Sequence, residues 1–497
     1  TPSESSPAFP DSFPLLRNYV VRARVYRPGM LPSPVVTRSY LVGNPPSLPV
    51  VSIATDGAHL YDADLGILRN AIKEREVPIS VEYFDSSGTK GFGANAGLRV
   101  FGSTIYALPQ RPLAVRLRAD YGQSELRYPL FRDRANDRFS AFLLRNGGND
   151  YNLTYFRDGL AVQLVRQLAN VDYQAYNPCL VYINGEFHGI QELRERIDAN
   201  TLASNAYASA ASIDQIEDSL IVIAGEGTDF ANLYSWLNTA DPTVDASYTY
   251  LDERIDMHEY MNVMMQKIFI GYALFDLNNT AWRDRVTGRW RWMAADMEHA
   301  FGQLGGDAVD ANTLAAALGE RGDLPEWSTR LFRTLMRNAR FRDAFLQRFA
   351  VALDGVYRPE RTLHMVDSLQ ALLAPHMPRH IARWNTPVNM QVWEMNIEAL
   401  RSWLRDRPTQ MWRHLSTYAG GADSARLRIH CVGAGRVRLA DGAPGDSIVS
   451  ALLFRAMPVS LEAVPMPGHR FRGWQGVDAD SAHAIMRLSG DSSIVAM

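Results

Sequence analysis

"NNTAWRDRVTGRWRWMAADMEHAFG", residues 278–302, is the stretch on which the reading of this chain turns. Trp290 and Trp292 alternate with Arg289 and Arg291, the period of a half-buried strand. Thr287-Gly288 supplies a turn, so the stretch predicts a hairpin whose returning strand ends on Asp296 and Glu298. The preceding segment, 256–275, is mostly apolar and predicts a buried helix that delivers Asp276. A hairpin folds back on itself. Asp276, Asn278, Asn279, Asp296 and Glu298 are therefore expected in one neighbourhood. Two readings stay open at this point. Oxygen-only donors of this kind suit Mg²⁺ or Mn²⁺. Phosphoryl transfer uses such parts: one Asp for the hydroxyl proton, an Asn and a second Asp for the metal, and a cation on the phosphates. A polar hairpin base with capping Asp and Asn residues is the plainer alternative.

Upstream, short β-runs succeed one another: "LPVVSIATD" from Leu48, "ISVEYFD", "AGLRVFG", "LAVRLRADYG" and "AFLLRNGG". "FRDGLAVQLVRQLAN" carries a helical period through Leu160, Leu164 and Leu168. "LVYINGEFHGIQELRERID" is a strand, an Asn184-Gly185 turn and a second strand, a strong hairpin signal. Residues 325–417 are helical in pattern. From about 424 the composition shifts to short strands with Gly and Pro turns, which places a boundary near "AGGADSA". Residues 14–44 alternate around Pro28-Gly29. They fit either the last strands of a β-sandwich or a hairpin packed on the next domain.

Length, composition and charge narrow the class. With 497 residues and a net charge of −3, the chain has no bulk field for nucleic acid or an anionic membrane. No run approaches the ~20 apolar residues of a membrane span. Lys73, Lys90 and Lys267 are the only lysines among 51 basic residues, which reflects a GC-rich genome rather than a binding role. Cys179 and Cys431 fall in segments that read as different domains and are expected as two buried thiols. The opening "TPSESSPAFP" fits a mature secreted protein or a trimmed chain. Phosphate-loop, zinc-protease, Cys-x-x-Cys and serine-elbow signatures are absent. Lys90 with Gly91, Gly93 and Gly97 reads as a hairpin loop rather than a phosphate cradle, and His299 reads as a structural residue beside a turn.

Several of these segments, in this order, resemble the CotH family, the spore-coat protein H type of atypical kinase. The resemblance runs from about Leu48 to Trp403. It rests on "LPVVSIATD" with "LYDADLGI", "AGLRVFGST" with "PQRPLAVRLRADYG", "YPLF", "LLRNGGND" with "FRDGL", "VYINGEFHGIQELRERID" and "GRWRWMAADMEHAFG". The N-terminal strands look like the end of a chitobiase C-terminal-type β-sandwich. The tail, with "GHRFRGWQG", is similar to internalin-type B-repeats.

The resemblance implies an α+β, protein-kinase-like core with a helical C-terminal part, flanked by small all-β elements. The expected division is 1–44, 45–418 and 424–497. It implies ATP with Mg²⁺ or Mn²⁺ and transfer to Ser or Thr of a secreted or surface protein, in a bacterial, extracytoplasmic setting. Carried over residue by residue, Asp276 is the catalytic base, and Asp296 is the metal-binding Asp, held with Asn278 or Asn279. Glu195 pairs with a phosphate-contacting cation, Arg111. Apart from the resemblance, Arg145 and Arg157 fit either further phosphate contacts or structural salt-bridge arginines. Three departures accompany this. Arg111 stands where the family has Lys, and an Arg fork does not fit a lysine-shaped slot. Glu298 stands in place of a second Asp. Asp276 and Asn278 are closer together than usual. The alternative is a degenerate extracellular binding or scaffold protein on the same fold.

Overall fold

The hairpin forms in the computed structural model. Strand Thr280–Asp284 pairs antiparallel with Arg291–Ala294, Thr280 opposite Met293 and Trp282 opposite Arg291. The structure describes residues 2–10, 12–43, 47–102, 107–218, 220–272, 274–303, 308–320, 322, 324–445 and 448–497. Thr1, linker residues 44–46, and Ser103 and Thr104 of "AGLRVFGST" lie outside them. The protein is mixed α+β and divides into two units. The first comprises residues 1–155, 175–207 and 369–395; the second comprises 156–174, 208–368 and 396–497.

The first unit is built on a closed seven-stranded barrel. Its order is Tyr176–Ile183, Glu186–Glu195, Ala141–Arg145, Leu113–Arg116, Lys90–Val100, Val77–Phe84 and Val50–Ala54. Neighbours pair antiparallel except at the closure, where Val50–Ala54 runs parallel to Tyr176–Ile183. Closure removes both open edges. Asn184 and Gly185 have φ of 53° and 84°, the left-handed pair that a two-residue hairpin turn demands. Val51, Val81, Leu98, Val115, Phe142 and Val181 are buried in one cluster. Each such side chain contributes about 1.5–3 kcal/mol on burial.

The glycine-rich stretch is not a loop, contrary to expectation. Lys90–Val100 is one long strand, and the turn precedes it. Its glycines make room for neighbours: a Cβ on Gly97 would stand 2.4 Å from Glu76 Oε1. Lys90 is ion-paired with the buried Glu82. Strands Tyr19–Ala23 and Val36–Tyr40 form a hairpin that lies against the barrel. There the Ser39 N–H donates to Glu82 Oε2 at 2.5 Å.

Helix Met377–Trp384 packs on strand Glu186–Glu195. Between them lie two buried imidazoles, His188 and His380. The Ile190 N–H donates to His380 Nδ1 at 3.0 Å. Gly189, at φ 130°, permits this approach, since a Cβ there would stand 2.8 Å from Trp384 Nε1 and 3.0 Å from His380 Nδ1.

The second unit holds a five-stranded sheet ordered Asp172–Tyr173, Arg291–Ala294, Thr280–Asp284, Ile213–Glu217 and Ile221–Ala224. Helix Met257–Phe269 packs against it. Asp256 caps the helix, accepting the Glu259 N–H at 3.1 Å, and is ion-paired with Arg291 of the sheet. Glu259 is fully buried and accepts the Trp292 N–H at 2.9 Å. Burial pushes its carboxyl well above the usual range. The helical run resolves into Glu326–Met336, Ala339–Leu353, Pro359–Leu373, Met377–Trp384 and Met390–Tyr418. No helix among the described residues is long and apolar enough to cross a membrane.

From Ser424 the chain forms a four-stranded and a three-stranded sheet. Helix Ala339–Leu353 packs on them through Gln347, whose amide donates to Phe454 O at 2.9 Å and accepts the Phe454 N–H at 3.0 Å. Cys179 is buried as expected, Cys431 only half-buried, and neither is in a disulfide. Cys431 is the last residue of its strand, which is why its burial is incomplete.

Candidate active site

All of the carboxylates singled out around the hairpin belong to the second unit. Asp296 comes just after strand Arg291–Ala294 in a left-handed conformation, φ 57°. Such a conformation costs about 1 kcal/mol in most residues and clusters at functional sites. It turns the chain so that Met297 and Glu298 diverge from the strand direction. The Met297 N–H donates to Asp158 Oδ1 at 2.9 Å, tying the strand end to the first turn of helix Arg157–Val165. As a result Asp158, Asp296 and Glu298 each place a carboxylate oxygen within 4.8 Å of the others. Asp158 and Glu298 are 2% and 1% exposed, and Asp296 is half-buried.

Three carboxylates this close repel one another and favour a shared counter-charge. An all-oxygen donor set with two buried members fits a hard divalent cation such as Mg²⁺ or Mn²⁺. Glu298 thus joins the cluster despite its extra methylene. Asp158 was missed in the sequence, although it lies inside the quoted "FRDGL" run beside Arg157. Its signal was proximity in space, which a separation of more than a hundred residues conceals.

Asp276, Asn278 and Asn279 sit on the loop between helix Met257–Phe269 and the hairpin. Asn278, at φ 55°, donates its amide to the Asp296 carbonyl and to the Tyr272 hydroxyl, both at 3.1 Å. Its nitrogen is committed, so Oδ1 is the atom it can offer a ligand. Asn279 is engaged otherwise. Its Oδ1 accepts from Lys267 Nζ at 2.6 Å, and its amide donates to Phe275 O at 2.7 Å. The Asn279 oxygen, expected at the metal, here faces the lysine.

Lys267 is 4% exposed. Burial pushes its ammonium down to about 8, opposed by Asp218 and Asp276. Burial, then Asp296, pushes the Tyr272 phenol far above its ordinary value. His299 meets Gln303 at 2.9 Å, a structural contact as read.

Arg111, Arg145 and Glu195 belong to the first unit. Glu195 is 1% exposed. It takes Arg134 Nη2 at 3.2 Å, the Ala175 N–H at 2.8 Å and the Asn205 amide at 3.1 Å. Arg111 donates to the carbonyls of Leu108 and, at 3.5 Å, Leu68. Among the described residues it makes no ion pair. The expected Arg111–Glu195 pair is thus corrected to Arg134–Glu195. Arg111 is spent on the carbonyls of Leu68 and Leu108. Arg145 is buried at the end of its strand, and Arg157 is buried at the first turn of its helix in the second unit.

Residues 98–411 match the family described as CotH kinase protein. The match covers more than half of the chain, and the protein belongs to that family. No curated protein matches the chain.

Proposed function

We propose that the protein is a phosphotransferase that moves the γ-phosphoryl group of ATP to a Ser or Thr hydroxyl of a protein outside the cytoplasm. The observation that carries this reading is the convergence of Asp158, Asp296 and Glu298 within 4.8 Å, beside the loop that bears Asp276. Family membership supports a kinase-like fold and use of a nucleotide with a divalent metal. Asp158, Asp296 and Glu298 would hold the cation, with Asn278 Oδ1 available to it. Bound there, the cation would neutralise charge on the nucleotide phosphates.

The chain's own residues do the rest. Asp276 accepts the proton of the acceptor hydroxyl as that oxygen bonds to phosphorus and the bond to the ADP oxygen breaks. Asn278 fixes the backbone of Asp296 relative to that base. Asp158 fixes Met297 and with it the path from Asp296 to Glu298.

Radiolabelled ATP with Mg²⁺ or Mn²⁺ tests the proposal, comparing the parent with Asp296→Ala. Label on a protein acceptor that the variant abolishes supports it. No transfer, together with no nucleotide-induced thermal shift, contradicts it, since a ligand at a hundredfold excess over its dissociation constant stabilises by about 2.7 kcal/mol. The second reading, a binding protein on the same fold, is favoured by one observation. Arg111, the residue in the place of the family's lysine, is spent on carbonyls and not paired with Glu195.

A further inference from the structure

Lys267 is the only lysine in the chain buried in a helix interior, and its place is unusual. It lies near the end of helix Met257–Phe269, which is buried along almost its whole length. Its ammonium reaches Asn279 Oδ1 at 2.6 Å and stands 5.4 Å from the centre of the Tyr272 ring. Asp218 and Asp276 supply the nearby negative charge. Asp218 closes the other side of the loop. Its N–H donates to the Asn279 carbonyl at 2.9 Å, and its Oδ1 accepts the Asn279 N–H at 3.0 Å. The space beside the ammonium is a cavity of about 30 Å³, lined by Asp218, Tyr234, Lys267, Asn279 and aromatic side chains. That leaves room for about one water.

A buried ammonium is costly unless it is paired and hydrogen-bonded, so its presence in this helix calls for a use. Asn279 is where the use is read. Three of its polar groups are fixed: Oδ1 by Lys267, the amide by Phe275 O, and the N–H by Asp218. Two left-handed residues, Asp218 at φ 40° and Asn278 at φ 55°, flank that anchor. Without the lysine the Asn279 oxygen would lose this donor, and the loop would lose its link to the helix.

We propose that Lys267 is the positioning residue of the loop that carries Asp276 and Asn278, clamping Asn279 from the helix so that Asp276 is held beside the carboxylate cluster. This rests on the phosphotransferase reading for its catalytic consequence, but not for its structural one. Lys267 is not one of the three clustered carboxylates and bonds to Asn279. It acts by fixing Asn279.

The test uses the full chain with Lys267→Met and Lys267→Arg. Hydrogen exchange read by mass spectrometry should show the 275–279 segment and Asp218 exchanging at least about tenfold faster in Lys267→Met, with helix Met257–Phe269 and the sheet unchanged. Mn²⁺ affinity should stay within about threefold of the parent, because the carboxylate cluster is intact. If the parent transfers phosphate, kcat should fall at least about thirtyfold with KM for ATP within about threefold. Lys267→Arg should recover a substantial part of kcat. Unchanged exchange in the loop, or acceleration spread evenly over the second unit, overturns the proposal. So does a kcat within about threefold of the parent. Should Lys267→Met not fold, Asn279→Ala removes the acceptor and must give the same local exchange pattern. A parent that transfers no phosphate sinks the phosphotransferase reading alone, and the exchange data still decide the clamp.

Discussion

Acid should unfold the first unit, and His188 and His380 fix where. Both imidazoles are buried, and burial pushes each down to about 3 from its ordinary 6.5. Arg383 adds to this for His188, and His188 for His380. Geometry agrees for His380. Its Nδ1 accepts the Ile190 N–H at 3.0 Å, and a proton on that nitrogen would set donor against donor. The folded state therefore binds fewer protons than the unfolded chain between about pH 3 and 6.5. The stability involved is complete above pH 6.5 and is lost as pH falls towards 3. Each group contributes about 1.36 kcal/mol per pH unit within that window. From pH 6.5 to pH 5 that is about 2 kcal/mol for each, or about 4 for the two, against a total of about 5–15 kcal/mol for a typical domain. The assay is urea unfolding at about pH 8 and about pH 5, on either side of the upper edge of that window, read by hydrogen exchange in peptides from strand Glu186–Glu195. With a slope of ~2 kcal/mol per molar, the midpoint should fall by about 2 M. A His188→Gln/His380→Gln pair should remove most of that fall, since Gln can still accept from Ile190 and does not titrate. A fall below about 0.5 M in the parent would refute the reasoning. So would the same fall in the double variant.

Other perturbations reach other parts of the chain. Arg134→Ala removes the 3.2 Å ion pair to the buried Glu195 carboxylate and should cost the first unit about 1.5–3 kcal/mol in urea unfolding. Arg407 is 0% exposed and donates to the carbonyls of Ile268, Phe269, Val309 and Ala311. Arg407→Met removes a donor from all four carbonyls, of which Ile268 O and Ala311 O keep the Gly271 and Thr313 N–H groups, and should destabilise the second unit by at least about 3 kcal/mol, seen as a lowered thermal midpoint. Asp276→Asn should lower phosphotransfer at least about 100-fold while leaving Mn²⁺ affinity unchanged.

Sequence range decided which features were legible in advance. The hairpin 280–294, the Asn184-Gly185 turn and the helix over 257–269 are local patterns, and period or turn chemistry identifies each. Asp296 and Glu298 were legible because that hairpin is local. Asp158 was not, because the Met297 N–H links it to them across the chain rather than along it. The Glu195 partner failed for a related reason. Charge type predicts that a cation pairs with Glu195, but the fold decides between Arg111 and Arg134, and Arg111 meets the carbonyls of Leu108 and the distant Leu68 instead. Gly91, Gly93 and Gly97 misled because glycine suggests a turn, whereas here side chains from neighbouring segments need the space. Lys267 had a signal that composition alone undervalued: one of three lysines lay inside an apolar helix.

The central claim is that Asp158, Asp296 and Glu298 form one cation site. Calorimetric titration of Mn²⁺ into the parent, Asp158→Asn and Asp296→Asn tests it most directly. Asn at 158 can still accept the Met297 N–H, so the charge is removed with the backbone link kept. Saturable binding is expected in the parent, tightened by ATP, with a loss of at least about tenfold, or about 1.4 kcal/mol, in each variant. Equal affinity in all three proteins, or no saturable binding in the parent, would contradict it.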